Sequence, residues 1–179
     1  MSRKLNFSSQ VGLGLIEVMV ALFILAIGLL GMAALQIKAQ QAEMESYQRI
    51  QALILLEDIS SRVSANKMLR AEYELSTYLG VGSTISLTGK NASVAADLAA
   101  WDALLKGAAE VLDGGQVGAM VGARGCIVVS DDANEIVVSV AWQGFVETAV
   151  PAESCGQNLY GNDGLRRVVS RILNFAVLN

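Results

Sequence analysis

From Val18 to Leu35 every residue is apolar, 18 positions without a break. Leu13, Leu15 and Ile16 extend the run to the roughly 20 residues that cross a bilayer as a helix. Glu17 stands at its entrance, where an ordinary signal or anchor avoids charge. A carboxylate taken into lipid without a partner is costly, so its presence there points to a function. Upstream, residues 1–12 carry Arg3 and Lys4 and no acid, which keeps that end cytoplasmic and sends the chain beyond Lys38 outside.

Of 179 residues, the 167 that follow residues 1–12 are enough for one domain plus a long helix. There is no repeat of 20 to 50 residues and no charge block of the kind that marks disorder. With 17 acidic against 13 basic side chains, the balance repels phosphates and argues against nucleic-acid binding. The sequence has no His, which removes the commonest acid, base and zinc ligand together with any Ser or Cys nucleophile that relies on one. The GGQVGAMVGARG run lacks the Lys-Ser/Thr of a phosphate loop and reads as a connector. Asp131, Asp132, Asn134 and Glu135 do not have calcium-loop spacing and read as a polar turn. Arg166 and Arg167 read as an exposed strand face or an intersubunit contact. No catalytic constellation, metal site or cofactor is expected.

Helix formers without Pro continue past the apolar run, so one helix is expected from Leu13 to about Asn66, with Asn66 as its C-terminal cap. Tyr47, Ile50, Leu53, Ile54, Leu56, Ile59 and Val63 recur near helical spacing and are expected to form its buried stripe. Residues 72–78 continue as helix or loop, and residues 81–87 read as a short strand. Residues 95–112 show a second helical pattern through Leu98, Trp101, Leu104, Leu105, Ala108 and Leu112. Residues 113–125 hold five glycines and read as loop. Residues 126–130 and 135–142 form a hairpin about Asp131–Asn134, and residues 165–175 a last strand. A long N-terminal helix on an antiparallel sheet of about three to five strands is an α+β fold.

The head of the chain also carries a resemblance. A basic leader, Gly12, Leu13 and then Glu17 at the fifth position after that Gly resemble the class III signal of type IV prepilins. The later VSVAWQG, SCGQ and RRVVSRI segments resemble those of the PilV type of minor pilin. Leu13 stands where Phe is usual, Gly14 where Thr or Ser is usual, and Ala34 where such pilins often carry Pro. The resemblance implies a leader at residues 1–12, a transmembrane and assembly helix at 13–37, the periplasmic half of that helix at 38–66 and a globular domain at 67–179. It implies cleavage between Gly12 and Leu13, N-methylation of Leu13, and charge pairing by Glu17 during assembly. Loss of Arg3 and Lys4 would leave 11 basic against 17 acidic side chains, a net charge of −6. The implied function is that of a minor pilin near the pilus tip. Its partners would be other minor pilins, the major pilin, a tip adhesin, the prepilin peptidase and the inner-membrane assembly platform. Cys126 and Cys155 fall outside the membrane, where thiols oxidise, and are expected to form a disulfide rather than two separate buried thiols. A minor pseudopilin of type II secretion shares this N-terminus. A membrane-anchored periplasmic binding domain, a plain anchor and a secretory signal cut near Ala33 or Ala34 leave Glu17 unexplained.

Overall fold

A computed structural model describes residues 14–109, 111–112, 115–116 and 120–176. Helix α1, Leu15–Ala65, runs for 51 residues with no break at Gly28 or Gly31. A 3-10 helix, Lys67–Tyr73, follows, then β1 (Leu79–Gly80), α2 (Ala92–Leu105), β2 (Val111–Leu112) and β3 (Gly115–Gln116). The last third supplies β4 (Arg124–Val129), β5 (Glu135–Gln143), a turn of 3-10 helix at Asp163–Leu165 and β6 (Arg166–Asn174). The main sheet has the order β1-β4-β5-β6 and every pairing is antiparallel; β2 and β3 form a separate small ladder. This is the α+β architecture of a long N-terminal apolar helix packed on a small four-stranded antiparallel sheet.

The chain divides into two compact units, Met1–Ala42 and Glu43–Asn179. In the first, every described residue of α1 has an exposed side chain, and the helix is long and apolar enough to cross a membrane. In the second, one core joins Ala52, Leu55, Leu56, Ile59 and Val63 of α1 to Leu98 and Trp101 of α2 and to Ile127, Ile136, Val138 and Val140 of the sheet. Alternation along β4 and β5 turns Ile127, Ile136, Val138 and Val140 to the helices and leaves Val128 on the other face. Trp101 is fully buried, and its Nε1–H donates to the Leu55 carbonyl at 3.0 Å, so its one polar atom costs nothing on burial. Asp97 of α2 fastens the end of α1: its carboxylate accepts from Arg62 Nη1 (3.1 Å), Asn66 Nδ2 (2.9 Å) and Tyr73 Oη (2.5 Å). Burial, followed by the Asp97 contact, pushes the Tyr73 phenol up to about 12.

Four local expectations are corrected. Within α1 the buried stripe is Gln48, Ala52, Leu55, Leu56, Ile59, Ser60 and Val63, whereas Tyr47, Ile50, Leu53 and Ile54 remain 40%, 55%, 46% and 53% exposed. Two polar residues interrupt the pattern without penalty, because Gln48 Oε1 accepts from Val121 N (3.3 Å) and Ser60 Oγ donates to Leu56 O (2.6 Å). Residues 81–87 are not in a strand; the paired residues are Leu79 and Gly80, immediately before them. The second helix starts at Ala92, where Asn91 Oδ1 caps Ser93 N, and stops at Leu105, short of the expected Leu112. Gly107, at φ +94°, is the left-handed residue that ends it. The glycine-rich stretch is only partly loop, since Gly115 and Gln116 pair with Leu112 and Val111, and Arg124 and Gly125 begin β4.

Candidate functional site

Glu17 lies in the first turn of α1, next to Leu15, Ile16 and Val18, all exposed. Among the described residues its carboxylate has no hydrogen-bond or ion-pair partner. With Val18, Ala21, Leu22 and Leu25 it borders a shallow depression on the helix surface. This apolar helix face, with one acid near its start, is not buried within its own unit and is long and apolar enough to cross a membrane. Gly12 and Leu13, the expected cleavage and methylation positions, lie outside the described residues.

The expected disulfide ties the loop between β5 and β6 to strand β4. Cys126 and Cys155 are joined, with Sγ atoms 2.05 Å and Cα atoms 5.8 Å apart. A bridge across 29 residues contributes about 3 to 4 kcal/mol on the chain-entropy estimate. Arg166 was expected on a surface or at a contact, but it is buried at 1% exposure and holds the same loop from inside. Its guanidinium donates to both carboxylate oxygens of Asp163 (3.1 and 3.0 Å) and to the carbonyls of Pro151 (3.1 Å), Glu153 and Cys155 (3.1 Å). That arrangement uses all five donors of the fork, the case in which a buried arginine is satisfied. Arg167 reaches across to Glu45 of α1 (3.2 Å) and the Val146 carbonyl.

At the tip of the β4–β5 hairpin, Asp132 accepts from Ser130 Oγ (2.7 Å), Asn134 N (3.1 Å) and Asn134 Nδ2 (2.8 Å). The Ser130 contact, then those from Asn134, hold its carboxyl down to about 2. The acid therefore serves the turn itself, and Ala133 at φ +54° completes the reversal. The staple and the hairpin order the domain, and neither brings a nucleophile together with a base.

An α+β domain hung on a helix of this length and apolarity has the build of a type IV pilin. The type IV pilin family Tt1218-like, described as Type IV pilin Tt1218, matches residues 34–104, from the last apolar turns of α1 to the end of α2. That stretch is similar to the family and, with the fold, supports a pilin subunit. No curated protein and no solved structure matches the chain.

Proposed function

We propose that the chain is a minor pilin: a structural subunit that waits in the inner membrane with its N-terminus cytoplasmic and its sheet domain periplasmic, then enters a type IV pilus near the tip and takes part in priming assembly. One observation carries the reading. The same helix begins as an unburied apolar rod headed by Glu17 and, within Glu43–Asn179, ends as the central element of the core. The family likeness over residues 34–104 and the periplasm-compatible disulfide add to it. The role is structural and calls for no cofactor.

In this reading a peptidase cuts after Gly12, and the new methylated amine of Leu13 on one subunit pairs with Glu17 of a neighbour. Charge neutralisation in a medium where a lone carboxylate costs about 3 kcal/mol or more then aligns the helices as well as holding them. Other minor pilins, the major pilin, a tip adhesin and the assembly platform are the partners. Glu17→Gln is expected to leave insertion and cleavage intact while reducing crosslinking to partner pilins. The check is crosslinking in membranes beside a fractionation control. A Gln variant that assembles as well as the parent removes Glu17 from the mechanism.

A further inference from the structure

Strand β6 forms one edge of the main sheet and pairs with β5 through nine consecutive positions, without a bulge. Gly144 N donates to Leu165 O and Phe175 N to Asn134 O, both at 2.8 Å. With the register fixed at Gln143↔Arg166, these place the hydrogen-bonded pairs on the odd-numbered residues of β6. Val168, Ser170, Ile172 and Asn174 therefore turn their N–H and C=O groups to the open edge, where no backbone or side-chain partner among the described residues meets them. The usual guards of an edge strand are missing: RRVVSRILN has no Pro and no Lys, and its three arginines are engaged with Asp163, Glu45 and Glu57. Beside this edge, Val128, Val137 and Ile172 lie in one row on the outer face, and Val128 and Ile172 are more than half exposed.

At the opposite edge lies β1, and past the turn at Val81 and Gly82 the chain runs on as residues 83–87, STISL. This is the stretch whose composition reads as a strand and which has no ladder partner. Ile85 and Leu87 pack against the core, so the segment is held in place, while Thr84 and Ser86 are exposed. The N–H and C=O groups of Thr84 and Ser86 have no partner among the described residues.

We infer that the β6 edge of one subunit takes up residues 83–87 of a second copy as an added strand, so that copies join head to tail. Subunit polarity favours this over β6 pairing with itself. Arg167 meets Glu45 and Arg171 meets Glu57, so β6 climbs α1 in the direction of the helix. Antiparallel self-pairing would turn the second copy upside down, whereas copies sharing one membrane keep one polarity. A contact between two different edges is heterologous and extends into an open array. The inference relies on the pilin reading only for that shared polarity; the pairing is read in detergent and does not depend on cleavage or Glu17.

The full-length protein in detergent micelles, whose native cysteines are bridged, is tested as Ser86→Cys/Ile172→Cys with a short bismaleimide. A ladder of dimers, trimers and higher species is expected, with only background from either single variant. Adding Ser170→Pro deletes an N–H that faces the open edge and leaves the backbone bonds to β5 in place, losing only the Ser139 Oγ–Ser170 Oγ contact (2.9 Å) on that side, so the ladder should fall by roughly tenfold. A cooperative thermal unfolding transition close to the parent's, followed by circular dichroism, confirms that this variant is folded. No ladder from the double variant overturns the inference. So does a ladder that survives Ser170→Pro, or a dimer from Ile172→Cys alone, which would mean self-paired β6 edges.

Discussion

A methyl group added at Gly125 would stand 2.3 Å from Trp101 Cη2 and 2.8 Å from Leu105 Cδ1, distances no packed carbon tolerates. The glycine lets the largest buried side chain lie flat on β4, so Gly125→Ala forces either the indole or the strand to move. A loss of about 2 to 3 kcal/mol is expected, read as a lowered denaturation midpoint of the detergent-solubilised protein. An unchanged midpoint would mean that α2 does not seat on β4 in this way. Two carboxylates are expected to make stability sensitive to acid. Arg166 holds Asp163 below its usual range, and Ser130 with Asn134 holds Asp132 at about 2. Both are lowered by folding, so their contribution is present above the ordinary value of 3.8 and is lost as pH falls through the folded values, about 2 for Asp132. Thermal unfolding should therefore be flat from pH 7 to about 5 and weaken from about 4 downward, with a shallower fall in Asp163→Asn. An identical acid profile in that variant would show that the Arg166 clasp contributes nothing.

Among the elements, α1 separates what periodicity specifies from what it leaves open. Its existence and its end near Asn66 follow from unbroken helix formers, but residues 47–63 carry apolar side chains on two stripes. Spacing does not say which stripe meets the domain. The choice is made by α2 and the sheet, which accept Ala52, Leu55, Ile59 and Val63, and by the turn before β4, whose Val121 N donates to Gln48. Ile59→Ala should thus cost about 2 to 4 kcal/mol, while Ile54→Ala stays within about 0.5 kcal/mol, in parallel denaturant titrations. Equal losses would put the core on the other stripe. The hairpin and β6 were legible because β-branched runs alternate between polar turns. Residues 81–87 have the same composition, yet their potential partner β4 is already engaged through Leu79 and Gly80. The helix over 92–105 was overextended because Ala108 and Leu112 keep the apolar period beyond a glycine that backbone conformation, rather than hydrophobicity, makes the stop. The buried role of Arg166 had no sequence signal, since its partners are three backbone carbonyls and an acid three residues earlier.

At the scale of the whole molecule, the two units of the chain share one helix and divide the work. Residues 15–42 present apolar surface and Glu17 on a helix that fits membrane anchoring, and the remainder builds a core closed by a disulfide and a buried arginine. The fold and the apolar helix are legible in the sequence, because a run of 18 apolar residues and a series of alternating strands are long-range patterns. The open β6 edge was not readable, because an edge is a property of strand order. If this molecule is handled as a prepilin, the mass and sequence of the N-terminus of the membrane-extracted protein show it most directly. The expected chain begins at Leu13 with a methylated amine and has Glu17 as its fifth residue; a chain beginning near Ala33, or an intact Met1, would contradict processing as a prepilin.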